Sequence, residues 1–185
     1  MISIVGIGFP ASRLAQKFVS IKNYKVYQLN DKIERNSKYK RKIKSFEGPE
    51  EYENNIPDLK KFFSEITDRI QVFVVGSSMS SNYSLGVLEQ LKDKQVDVFY
   101  IKPDSELLTG IPKLVDKVVF SVLQEYARSG LLKSLTVISN ELLENHLGSV
   151  PIKKYYDTLN ESIFQTVHYL NFFEHNEPEI GMVSK

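Results

Sequence analysis

Tyr156 and Asn160 lie one helical turn apart in this 185-residue chain, and their types suit the recognition of a flat polar ring. Residues i and i+4 share a helix face. A phenol ring can stack on a base, while an amide, both donor and acceptor, pairs with the base's polar edge. The same spacing is also common on solvated helix faces, so it needs company to mean anything. Two turns upstream offer it. The stretch "GIGFPA", Gly6 to Ala11, follows an apolar run, opens a helix and matches the dinucleotide pattern G-x-G-x-x-G/A, and Asp31 lies about 20 residues on, where a ribose-binding acid would sit. It reads either as an NAD site or as a tight strand-to-helix turn, since Phe9 and Pro10 occupy the space after the second glycine.

The second turn, "VVGSSMSSNYS", Val74 to Ser84, has serines where a phosphate cradle would have glycines. Bare backbone N–H groups approach a phosphate closely, and each added side chain narrows the cradle. Against that, Ser77, Ser78, Ser80, Ser81 and Ser84 bring hydroxyl donors, and Asn82 tolerates positive φ. A helix starting near Ser84 points its positive end at the loop. The alternative is a polar loop that merely caps this helix.

Positioning these residues requires a layered α/β framework. The runs "ISIVGIG", "KVYQLN", "IQVFVVG", "VDVFYIKP" and "SLTVIS" read as strands, with helical segments between them. Four of the five are nearly continuous in apolar residues, the mark of a parallel sheet covered on both faces. Helices are expected from Pro10, over Asp58 to Ile66, over Ser84 to Leu91, and over Lys113 to Arg128 with Val115, Val118, Val119, Val122 and Tyr126 at helical spacing. Gly130 supplies the stop after the fourth. A long helix from about Ile152 to Phe173 should bury Leu159, Ile163, Val167 and Leu170. Gly48-Pro49 marks a flexible boundary inside the domain, and no internal repeat is visible.

Composition excludes several function classes. Without cysteine there is no disulfide framework, zinc-thiolate site or thiol nucleophile, which suits a cytoplasmic setting. His146, His168 and His175 lack close metal-ligand spacing, so no metal site is expected from them. A net charge of +1 provides no global field for nucleic acid or anionic membrane, and neither is expected as a partner. "DKIERNSKYKRKIK", Asp31 to Lys44, gathers seven Lys/Arg against two acids and reads as a solvated loop or short polar helix. No apolar run approaches the roughly 20 residues of a membrane span.

Taken in order, these segments resemble the nucleotide-binding domain of the tubulin/FtsZ superfamily. A glycine turn after the first strand, a second strand ending in "YQLND", and a phosphate loop after a later strand are the family's sequence of parts. "TVISNELLENH" is similar to its strand, asparagine and short acidic-apolar helix, and "YYDTLNESI" to the start of its central helix. The resemblance implies a three-layer fold with a mostly parallel sheet and helices on both faces. It implies GTP or GDP as ligand, with Mg2+ as an optional companion. Guanine would lie against Tyr156 and Asn160, with Asn30 and Asn140 near ribose or base. Phosphates would lie between Gly6, Gly8, Ala11 and Ser12 on one side and Gly76 through Asn82 on the other.

Residues 1–173 would form this domain, and residues 174–185 a polar tail or truncated linker. The family's catalytic acids follow the central helix, where "NEPE" provides only Asn176 and Glu179 as loose counterparts. The family's second domain, which supplies much of the subunit contact, has no counterpart before Lys185. GTP hydrolysis would therefore require that domain and a neighbouring subunit. Self-association or a larger assembly is the implied role. The rival readings are an interaction module on the same fold with a silent serine loop, and an NAD-binding enzyme built on "GIGFPA" and Asp31.

Overall fold

The computed structural model describes residues 1–148 and 150–175. Six strands form one sheet: β1 (Ile2–Ile7), β2 (Tyr24–Asn30), β3 (Lys40–Lys42), β4 (Arg69–Val75), β5 (Gln95–Lys102) and β6 (Ser134–Ser139). The order across the sheet is β3-β2-β1-β4-β5-β6, and every neighbouring pair runs parallel. Six α-helices accompany it: α1 (Phe9–Gln16), α2 (Pro49–Asn54), α3 (Tyr83–Glu89), α4 (Gly110–Arg128), α5 (Asn140–Leu147) and α6 (Tyr155–His175).

Alternation along the strands divides the core in two. Ile4, Phe73 and Phe99 face α1 and α6, meeting Leu14, Phe18, Ile163 and Val167. Their neighbours Val5, Tyr27, Val72 and Tyr100 face α2, α3 and α4, meeting Tyr52, Val87, Val115 and Leu123. The central strands are apolar on both sides because both sides are roofed, which produces the nearly continuous runs in the sequence.

Several elements differ from the sequence expectation. The basic segment contains a sixth strand, β3, whose three residues are all exposed and pair with Gln28 to Asn30. Gly48-Pro49 starts α2 instead of a flexible boundary. Pro49 occupies the first turn, Glu51 accepts the Gly48 N–H at 3.4 Å, and Tyr52 is buried beneath. Within the expected helix 58–66, residues 60–65 form successive turns and no helix forms. Gln90 ties down the start of this segment, accepting the Leu59 N–H at 2.8 Å and donating to the Pro57 carbonyl at 3.0 Å. Leu59, Phe63 and Ile66 are buried all the same, so tight turns imitate helical spacing.

In α4 the buried stripe is Val115, Asp116, Val119 and Leu123, while Val118 is exposed. On α6 the stripe is Leu159, Ile163, Val167 and Asn171. Leu170 faces outward, and α6 continues through Glu174 and His175. Asn171 can be buried because it exchanges two hydrogen bonds with Gln71 of β4, at 2.7 and 2.8 Å. Each buried aliphatic on this stripe contributes about 1.5 to 3 kcal/mol, which fixes α6 against the sheet.

Candidate nucleotide site

The first turn joins β1 to α1 at Gly8, where φ is 86° and ψ 164°, a region that side chains avoid. The Gly8 N–H donates to Leu29 at 2.7 Å, and its carbonyl accepts the Ser12 N–H at 2.9 Å. Gly6 serves a different need. A Cβ there would lie 2.6 Å from the Ala11 carbonyl oxygen, so its absence lets α1 settle on β1. Ala11 is buried, and Ser12, also buried, donates its hydroxyl to the Gly6 carbonyl at 3.2 Å.

The second turn joins β4 to α3. Gly76 donates its N–H to Ile101 at 3.0 Å and is backed by the Tyr100 hydroxyl and the Asp116 carboxylate, both of which a Cβ would strike. Tyr100 donates to Asp116 Oδ1 at 2.7 Å. Burial first, then the adjacent carboxylate, raises the Tyr100 pKa far above the ordinary phenol value. Beyond Gly76 come Ser77, Ser78 and a 3-10 turn over Met79–Asn82. Ser78 and Ser80 share a hydrogen bond of 2.9 Å, and Ser80 Oγ occupies the place that a Cβ on Gly8 would take. The two strand-end turns therefore touch. Ser81 and Asn82 are buried, Asn82 donating to the Met79 carbonyl at 2.8 Å and Ser81 Oγ having no hydrogen-bond partner among the described residues.

The third contribution is Asn140, first residue of α5. Its neighbour Ser139 caps that helix by accepting the Leu142 N–H at 3.3 Å. Asn140 Oδ1 is buried and has no hydrogen-bond partner among the described residues. Asn140 is one of the residues lining a pocket of about 380 Å³. Val75, Ile101, Leu159 and Ile163 give this pocket an apolar floor, and Phe9, Pro10, Arg13, Ser77, Ser78, Tyr156 and Asn160 complete its wall. A recess of this size, mostly apolar with a few convergent polar groups, is typical of small-molecule sites. A second recess of about 340 Å³ adjoins it, with Phe9, Arg13 and Asn160 common to both. Ser12, Asn30 and Asp157 line this second part. Asn30 Oδ1 accepts the Lys32 N–H at 3.0 Å.

Of the residues selected from sequence, Ser77, Ser78, Asn140, Tyr156 and Asn160 surround the first recess, while Ser12, Asn30 and Asn160 line the second. Gly6, Gly8, Ala11, Gly76, Ser80, Ser81 and Asn82 line neither. Gly6, Ala11 and Gly76 serve backbone packing, and Ser80 bridges the turns. Asp31 pairs with Lys32 at 3.3 Å. Asn176 and Glu179 lie outside the described residues. Sequence reasoning missed Arg13 and Asp157, which pair at 2.7 Å. The signal was present: Arg13 is one helical turn beyond Phe9, and Asp157 one residue beyond Tyr156. Among the described residues no cluster of three or more His, Asp or Glu is placed to hold a metal ion.

The residues suit a planar heterocycle better than they suit a polyphosphate. A ring and two amides, one of them with an unused acceptor, converge on an apolar floor, whereas the gap between the turns is closed by the Ser80 side chain. Anion-attracting groups at the rim are Arg13 and the hydroxyls of Ser77 and Ser78.

No protein-family model matches the sequence, and no curated protein matches it. Solved structures do match. The chain is similar to TubZ of bacteriophage PhiKZ, solved as a protofilament, with a TM-score of 0.64 and 12% identity over 96% of this chain and 58% of that one. It is similar also to FtsZ of M. jannaschii, solved as an empty dimer, with a TM-score of 0.69 and 16% identity over 97% of this chain and 57% of that one. The fold is therefore tubulin/FtsZ-like, and the chain spans less than three fifths of either relative's length.

Proposed function

We propose that the chain is a guanine-nucleotide-binding domain of an assembling protein, with the base held by α6. The observation that carries this reading is that Tyr156 and Asn160 share one recess with Asn140, Ser77 and Ser78, from three separate parts of the chain. Tyr156 is well exposed at 69%, as a stacking platform must be before its base arrives. Asn160 offers a donor and an acceptor to guanine's edge, and the unused Asn140 oxygen accepts from a ribose hydroxyl or a base N–H. Arg13, Ser77 and Ser78 meet the phosphates, and Mg2+, if carried, arrives with them. The assembly part rests on the fold and on the protofilament and dimer in which TubZ and FtsZ were solved. Calorimetric titration with GDP, GTP and ATP tests the base assignment. Heats for the guanine nucleotides alone support it, and equal or absent heats for all three overturn it.

A second reading has its own observation. Ser80 seated on Gly8 closes the space between the two turns, as expected of an interaction module whose nucleotide site is silent. Analysis of small molecules released when the purified chain is denatured separates the two, because a released nucleotide removes the silent-module reading.

A further inference from the structure

The face of the sheet opposite α6 holds another recess, about 520 Å³, between the β2–β3 edge and the turns of residues 60–65. Tyr27 forms part of its wall. The residue is 1% exposed, and its hydroxyl has no hydrogen-bond partner among the described residues. An orphaned buried hydroxyl is costly to fold around, and here the ring is held in place by edge contacts with Tyr39, Phe62 and Phe63 at 5.3, 5.5 and 5.8 Å. Burial, then the neighbouring Tyr39 and Glu65, pushes the Tyr27 pKa up to about 12, so the group remains a donor.

The charges around the recess are not balanced. Lys38 and Glu65 pair at 2.6 Å, and Asp58 accepts the Lys60 N–H at 3.0 Å. Arg41 and Lys61 also line the recess and have no ion-pair partner among the described residues. Arg41 is the register partner of Leu29, two residues beyond Tyr27, so parallel pairing puts its side chain on the face that Tyr27 occupies. Phe62, half-buried, adds an aromatic wall.

We propose that this recess binds a small aromatic phosphate monoester. The Arg41 fork and the Lys61 ammonium take the phosphate, the Tyr27 hydroxyl donates to it, and Phe62 packs against the ring. This site is separate from the recess at Tyr156 and does not depend on a nucleotide there.

The test uses the full chain, with phenyl phosphate and inorganic phosphate as probes, read by backbone amide NMR shifts. Phenyl phosphate should shift amides around Ser37 to Arg41 and Lys61 to Glu65, and bind more tightly than inorganic phosphate. Tyr27→Phe should weaken it about tenfold with an unchanged or raised melting temperature, because only an unpartnered hydroxyl is lost. Arg41→Ala, at an exposed position, should weaken it at least as much. Tyr27→Phe binding like wild type, equal affinity for both probes, or shifts confined to the surroundings of Tyr156 would each overturn the proposal. Saturating GDP beforehand should leave the shifts unchanged, which keeps this outcome distinct from the fate of the guanine assignment.

Discussion

Arg13 on α1 and Asp157 on α6 meet at 2.7 Å beside the candidate base pocket, each about half exposed. The pair joins the helix after the first turn to the helix that carries Tyr156 and Asn160. It also neutralises the one guanidinium that lines both recesses. An exposed pair of this kind is worth less than about 1 kcal/mol, so its partners can be changed without unfolding the chain. Asp157→Asn should raise affinity for GDP by freeing Arg13, and Arg13→Ala should lower it, both measured calorimetrically. Equal affinity in the two variants would remove Arg13 from phosphate contact.

Tyr156→Ala should cost about 1 to 3 kcal/mol of stacking, or roughly 5- to 150-fold in guanine-nucleotide affinity. Since the ring is exposed, the melting temperature of the free protein should change little. A large fall in melting temperature would mean that the ring supports the fold instead of a ligand.

Gly8→Ala combines backbone strain of about 1 to 3 kcal/mol with a collision against Ser80 Oγ. In a Ser80→Gly background the collision disappears and the strain remains. Denaturant unfolding of the two single variants and the double variant should thus show partial rescue. Simple additivity of the two changes would show that Ser80 does not rest on Gly8.

Tyr100→Phe removes the 2.7 Å hydrogen bond to Asp116 and leaves a buried carboxylate oxygen short of a donor. The expected loss is about 1 to 3 kcal/mol in urea unfolding. Stability equal to wild type would mean that water substitutes fully for the phenol.

His175 closes α6 against Arg69, whose Nη1 lies 2.7 Å from His175 Nδ1. Burial first, and then the Arg69 charge, holds the His175 pKa below 6.5. The folded state thus disfavours the proton relative to the unfolded state, which binds more protons, so stability rises with pH. The contribution is complete above pH 6.5 and is lost as pH falls through the lower folded value. Thermal melts of wild type and His175→Gln should diverge below pH 6.5, with the wild type falling faster. Parallel curves would discount the Arg69 contact.

The central sheet is legible in the sequence because β1, β2, β4 and β5 are covered on both faces, and burial leaves an apolar run that needs no partner to be recognised. β3 is not legible. Three charged residues carry no pattern, and their strand character comes from pairing with Gln28 to Asn30. The helix expected over 58–66 is not formed, and the Pro57 carbonyl and Leu59 N–H at its start are instead held by Gln90, far along the chain. On α6 the expected Leu170 is displaced by Asn171, an amide whose burial rests on hydrogen bonds to Gln71 and to the Tyr24 hydroxyl. At the site, Tyr156, Asn160 and Asn140 were visible as residue types at a spacing. Arg13 and Asp157 were missed although each sits within a helical turn of a selected residue, because their pairing joins segments 144 residues apart.

The two margins of the sheet are unlike. Along β3, loop residues cover the outer backbone: Ser37 donates to the Lys40 carbonyl at 2.8 Å and Asn36 Oδ1 accepts the Lys42 N–H at 2.6 Å, with cationic side chains beside them. Along β6, six uncharged residues pair with no strand but β5 among the described residues, and Val137 is 44% exposed. A bare, neutral margin invites strand pairing, and a basic, capped one refuses it. A strand added to β6 would find no second open margin at β3, so any pairing by this route would stop at two copies.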